Sequence, residues 1–82
     1  MDAIPRYTAK ELAGWFTDPH AAAKYPAVLT PDQAADLLQV PKQTIYDWSS
    51  RGLLDGCKAR VGKHLRLARD RLLDRFFNGK LP

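Results

Sequence analysis

The 82-residue sequence contains one cysteine, two histidines and no long apolar run. Cys57 alone allows no disulfide within the chain, and neither His20 nor His64 has a Cys or His neighbour at zinc-ligand spacing. No stretch approaches the roughly 18 apolar residues of a transmembrane helix. The start, MDAIPRYTAKE, lacks the charged and then apolar segments of a signal peptide. We therefore expect a cytoplasmic protein without metal, cofactor or membrane contact.

The sequence also lacks the residue sets that catalysis requires. It has no glycine-rich phosphate loop, no Cys–His pair at catalytic spacing and no paired carboxylates in a predicted cleft. Without a nucleophile, an acid–base pair or a bound ion, no enzymatic activity is expected. A binding module remains.

Positive charge is concentrated in the second half of the chain. Residues 1–41 contain three Lys/Arg against five Asp/Glu, whereas residues 42–82 contain ten against four, so the halves carry −2 and +6. Such asymmetry is typical of a domain that binds a polyanion, most often nucleic acid. The alternative is that these side chains only solvate the surface.

A helical extension is predicted over residues 1–28. Residues 1–7 are expected to be loose, and order begins at Thr8, which has capping-box spacing to Glu11 and predicts a helix over residues 9–16. Its apolar edge, which includes Trp15, must pack on the domain's own core or on a partner. Asp18 and Pro19 then predict a brief helical spacer.

Two crossed helices are predicted between residues 30 and 51. Thr30 and Gln33 form a second capping box and predict a helix that ends near Leu38. A second helix is expected from Lys42 to about residue 50. The junction Gln39-Val40-Pro41 is too short for the helices to lie end to end, since a residue before proline avoids the α region. Crossed helices with such a junction are typical of a helix-turn-helix.

The second of these helices is predicted to be buried on one side only. Ile45 and Trp48 form a narrow apolar stripe that belongs to the core, and Gly52 suits the helix end. The stripe leaves a set of polar side chains elsewhere on the helix: Lys42, Gln43, Thr44, Tyr46, Asp47 and Arg51.

A basic β-hairpin is predicted next, as the wing of a winged helix-turn-helix. An odd-length loop, Gly62-Lys63-His64, would place Val61 opposite Leu65 and Arg60 opposite Arg66, whereas a two-residue loop would mix apolar and basic faces. We therefore expect the basic residues on one face and at the tip. The predicted fold class is mainly α with a small β-hairpin, with residues 29–78 as the DNA-binding domain.

A final helix is expected from about Arg69 to Phe77. Its Leu72 and Leu73 lie on a core-facing side together with two phenylalanines, and Gly79 suits its end. Its remaining residues alternate in charge, which is usual for a solvated face, with direct DNA contact by this helix as the alternative.

The chain resembles the excisionase-type, MerR-like winged helix-turn-helix family. The matching segments are LTPDQAADLLQVPKQTIYDW, RGLL and RVGKHLRLARDRLLDRFF, which lie within residues 29–77. Members are mostly small DNA-binding proteins, including excisionases that bend DNA for a tyrosine recombinase, and transcription regulators. The resemblance implies double-stranded DNA as ligand, an integrase as partner, cooperative self-association on DNA and a place in the nucleoid. A transcription regulator and a basic protein-interaction module are the alternatives, and the lack of a sensing segment after residue 82 favours the excisionase.

The resemblance also implies roles for individual residues. Gln43 and Thr44 would read base edges from the second helix. His64 would lie at the DNA backbone or in the minor groove with Arg60 and Lys63. Phosphates would be neutralised by six residues: Lys42, Arg51, Lys58, Arg60, Lys63 and Arg66.

Three positions of the second motif helix leave alternatives open. Pro41 stands where the family often has a serine cap, so this helix gives up a side-chain cap. Asp47 would repel a phosphate or accept a hydrogen bond from a cytosine amine. Tyr46 is either a half-buried packing residue or a phosphate contact through its hydroxyl.

Overall fold

The computed structural model describes residues 7–79 and residue 81. These residues form a mainly helical winged helix-turn-helix, as the sequence predicts. Its three-stranded antiparallel sheet has His64–Ala68 in the middle, flanked by Lys58–Val61 of the predicted hairpin and by Val28–Leu29, a strand that the sequence did not indicate. No helix in this part of the chain is long and apolar enough to cross a membrane. The elements are α1 Ala9–Gly14, α2 Pro19–Lys24, β1 Val28–Leu29, α3 Pro31–Leu38, α4 Lys42–Ser50, β2 Lys58–Val61, β3 His64–Ala68 and α5 Arg69–Phe77.

Side-chain caps set the starts of α1, α2 and α3. Both capping boxes are present, at Thr8 before α1 and at Thr30 before α3, and Asp18 caps α2. α1 ends at Gly14, two residues earlier than predicted, because the amides of Trp15 and the next residue bond to carbonyls only three residues back. The bounds of α3, α4 and α5 agree with the prediction.

The connection between α3 and α4 depends on one residue in a left-handed conformation. Gln39 has φ 57° and ψ 44°, and the amide of Val40 bonds to the carbonyl of Ala35 at 3.0 Å. This reverses the chain, and Pro41 then precedes α4 with no side-chain cap, as expected. The two helices cross and form the helix-turn-helix.

One core joins the extension to the helix-turn-helix. Leu12 of α1 is fully buried, Phe16 is 8% exposed and Trp48 of α4 is 6% exposed in the same cluster. Trp15, by contrast, is 45% exposed and packs its ring edge-on against Phe77, at a centroid distance of 5.2 Å. The apolar edge of α1 therefore packs mainly on the chain's own core.

Tyr7, which the sequence placed in a loose segment, is held by hydrogen bonds to Asn78. The Tyr7 amide donates to Asn78 Oδ1 at 2.9 Å, and Asn78 Nδ2 donates to the Tyr7 carbonyl at 3.0 Å. The expected looseness of the preceding residues lies outside the described residues.

The β2–β3 hairpin, here called the wing, has a different register from the predicted one. Its loop contains two residues, Gly62 and Lys63, so Val61 lies opposite His64. Gly62 has φ 61°, as a type II′ turn requires, and primed turns match the twist of paired strands. The predicted odd-length loop was wrong because β2 buries no large apolar residue: Val61 is 70% exposed, so only β3 demands a buried face.

The charged side of α5 is not simply solvated, contrary to the sequence interpretation. The Arg69 guanidinium donates to the Tyr25 carbonyl at 2.8 Å and lies 4.0 Å from the Phe16 ring centroid. Arg75 donates to the Leu53 carbonyl at 2.8 Å. Both arginines supply donors to loop carbonyls, which need partners once the loops pack on α5.

Candidate nucleic-acid interface

The outer face of α4 is free in the fold. Ile45 and Trp48 turn inward, whereas Lys42 and Gln43 are exposed and Thr44 is half-buried. Tyr46 is 40% exposed, so its ring packs only in part. An exposed α-helix of this kind has the dimensions to enter the major groove of DNA.

The wing register places two cations toward α4. Opposite residues of an antiparallel pair share a face, so Arg60 lies on the face of Leu65, and Lys58 lies on the face of Leu67. Between α4 and β2 runs a polar groove, here called the α4–wing groove. It is lined by Gln43, Tyr46, Asp47, Ser49, Ser50, Lys58 and Arg60. Five of the predicted site residues therefore meet at one groove.

Two predicted site residues lie on the other face of the wing. His64 is opposite Val61, and Arg66 is opposite Ala59, so the expected basic face does not form. The Arg66 guanidinium donates to the Leu65 carbonyl at 2.8 Å. Arg66 also lines a separate, mainly apolar groove with Val28 and other residues. The structure does not bring Arg66 together with α4.

Exposed ion pairs surround the helix-turn-helix. Lys42 Nζ lies 3.1 Å from the Asp32 carboxylate, and Arg51 lies 3.3 Å from Asp47 one turn earlier in α4. Pairs this exposed contribute little to stability, so their cations can move to a phosphate at small cost. Arg51 also balances the negative charge of Asp47 at the groove.

Arg60 and Lys63 have no carboxylate partner within the described residues. The pKa of Tyr25 is raised because its hydroxyl donates to the Asp36 carboxylate. Neither residue of that pair lines the α4–wing groove.

Sequence reasoning missed two residues of the groove, Ser49 and Ser50. Ser49 is a buried polar residue, 4% exposed, and accepts from Lys58 Nζ through its carbonyl at 2.8 Å and its hydroxyl at 3.0 Å. The bond joins residues nine positions apart in different elements, so no periodicity signals it.

A helix-turn-helix with a free second helix beside a basic wing defines a winged DNA-binding protein. The chain belongs to the helix-turn-helix domain family, whose model matches residues 28–76. Comparison with curated proteins and with solved structures gives no further match. The protein is accordingly a sequence-specific DNA-binding protein, from a family that typically acts by binding and not by catalysis.

Proposed function

We propose that the protein is an excisionase, or recombination directionality factor, which binds adjacent DNA sites and bends DNA to direct a tyrosine recombinase toward excision. The α4–wing groove carries the DNA-binding part of this proposal, because it combines the exposed side of α4 with Arg60, a cation that has no carboxylate partner among the described residues. The excisionase role is supported by the resemblance of residues 29–77 to that family.

In the proposed complex α4 lies in the major groove. Gln43, in the first turn of α4, pairs bidentately with an adenine edge. Thr44 is half-buried and makes a shorter contact beside it. Tyr46 points its hydroxyl toward the neighbouring backbone, and Asp47 accepts from a cytosine amine while Arg51 holds its charge in balance.

The wing contacts the DNA beside α4. Arg60 binds a phosphate at the edge of the major groove, and the wing tip with Lys63 and His64 approaches the adjacent minor groove. Lys42 and Arg51 leave their exposed carboxylate partners for phosphates. Arg66 lies on the face of the wing opposite to Arg60, so it adds to the DNA affinity only by long-range electrostatic attraction.

Smoothly bending a site of 20–30 base pairs by 40–90° costs roughly 1–6 kcal/mol, which several copies on adjacent sites would share. We therefore propose that copies bind cooperatively.

We further propose that residues 29–78 are the DNA-binding domain and that residues 1–28 are an N-terminal extension of it.

Footprinting and bending assays on a selected DNA test the proposal. Binding sites are first enriched from random duplexes and then placed in a longer fragment. We expect protection of adjacent direct repeats and a gel mobility that depends on the position of the site in the fragment, which reports a bend. Protection of one symmetric, unbent site would contradict the excisionase role and would favour a transcription regulator. An integrase gene beside this one, and stimulated excision by that integrase, are the corresponding functional results.

A further inference from the structure

Lys58 is held by the protein itself. Its ammonium group donates to the Ser49 carbonyl and hydroxyl and lies 3.7 Å from the Asp55 carboxylate. An ammonium has three N–H donors, and two of them are used in these bonds. The side chain is only 26% exposed. Lys58 therefore has little left to offer a DNA phosphate.

Both acceptors of the Lys58 ammonium group lie at the C-terminal end of α4. The Ser49 carbonyl belongs to the last turn of α4, where carbonyls lack partners within the helix and carry the negative end of its dipole. A cation such as the Lys58 ammonium group is stabilised at this end of a helix. Lys58 is also the first residue of β2, so a single side chain ties the end of α4 to the start of the wing.

Arg60 follows Lys58 on the same face of β2. Side chains two residues apart on a strand point the same way, about 6–7 Å from each other. The Lys58 bond therefore holds β2 against the end of α4, and with it the point from which the Arg60 side chain extends into the α4–wing groove opposite Gln43.

We propose that Lys58, through Ser49, is a positioning residue that sets the spacing between the reading helix and Arg60, and that it makes no DNA contact of its own. This inference rests on the proposed DNA-binding function. It reassigns a lysine that the sequence placed among the phosphate contacts.

The test is a double-variant titration against selected and scrambled duplexes at three salt concentrations. Arg60→Ala alone is expected to lower the salt slope by about one unit. If Lys58 acts through Arg60, Lys58→Met combined with Arg60→Ala gives the same slope as Arg60→Ala alone. Arg60→Ala also weakens binding less than threefold in the Lys58→Met background, against about tenfold in the wild type, a difference within the coupling range of neighbouring residues.

Lys63→Met is the matched control, since it removes the same charge from a lysine that has no carboxylate partner in the described part of the chain. Combined with Arg60→Ala it should lower the slope by about two units, the sum of two lost phosphate contacts. The same two-unit loss for the Lys58 double variant would overturn the inference. A full tenfold effect of Arg60→Ala in the Lys58→Met background would overturn it as well.

Ser49→Ala tests the tether by a smaller change if Lys58→Met does not fold. It removes the hydroxyl, one of the two acceptors of Lys58. In the Ser49→Ala background, Arg60→Ala should then weaken DNA binding by less than the tenfold expected in the wild type. A full tenfold loss there contradicts the tether. In the free protein, the heteronuclear NOE of wing amides should fall in Ser49→Ala, and unchanged values also contradict it. A wild-type protein that binds no DNA at all overturns the proposed function first, and with it the role of Lys58 there.

Discussion

Arg60 lies opposite Leu65 across the wing, and not opposite Arg66. This pairing divides the hairpin's cations between two faces and leaves Arg60 on the side of α4. A charge count of the hairpin gives the same total for either register. The face of the hairpin on which each cation lies determines whether that cation can contact a DNA duplex docked on α4.

Arg60 and Arg66 should therefore differ in their effects on DNA binding. Arg60→Ala is expected to weaken binding to selected and scrambled DNA alike and to lower the salt slope by about one unit. Arg66→Ala is the matched control and should change the slope by much less, because its guanidinium is bonded to the Leu65 carbonyl on the far face. Titrations at three salt concentrations compare them. Equal losses would place the DNA across both faces of the wing.

Gln43→Ala should reduce discrimination without changing the salt dependence. Loss of a bidentate base contact narrows the difference between selected and scrambled DNA by about 1–3 kcal/mol, while the phosphate contacts stay intact. Thr17→Ala, exposed and outside the α4–wing groove, serves as control. If Gln43→Ala keeps full discrimination, the first turn of α4 does not read the bases.

Total affinity should fall steeply with salt. With Lys42, Arg51, Arg60 and Lys63 as phosphate contacts, raising the salt from 50 to 200 mM should weaken binding by about a hundredfold. Mobility shifts or fluorescence anisotropy measure this. The same affinity at both salt concentrations would exclude a phosphate-dominated interface.

Trp48→Ala should unfold the domain. Trp48 is 6% exposed in the core, and truncation of a buried Trp costs about 3–5 kcal/mol, comparable to the whole stability of a small domain. Tyr46→Ala, on the same helix but exposed, should change the free energy of unfolding by no more than about 0.5 kcal/mol. Circular dichroism and thermal melts report both. A folded Trp48→Ala variant with normal melting would mean that α4 is rotated from the described orientation.

Leu12→Ala should also be strongly destabilising, although residue 12 lies outside the family match at residues 28–76. The side chain is fully buried in the core shared with α5, so its loss should cost about 2–5 kcal/mol. Lys10→Ala, exposed on the same helix, is the control. A Leu12→Ala protein as stable as the control would show that the extension is dispensable for folding.

The sequence by itself determined where the helices lie and which side of α4 is buried. Thr8 and Thr30 cap their helices through bonds to residues three positions later, so the signal is complete within one turn. The spacing of Ile45 and Trp48 likewise indicates the inward side of α4, because helical periodicity is a local property.

Only the tertiary structure decided how the wing meets α4. The hairpin register depended on the turn at Gly62 and on β3 alone providing a buried face, and the two-residue strand β1 formed only because β3 offered it an edge. The bond from Lys58 to Ser49 and the contact of Arg69 with Phe16 join residues from different elements. Such contacts follow from where the packed elements place their unpaired carbonyls and rings, and no local pattern of residues encodes that position.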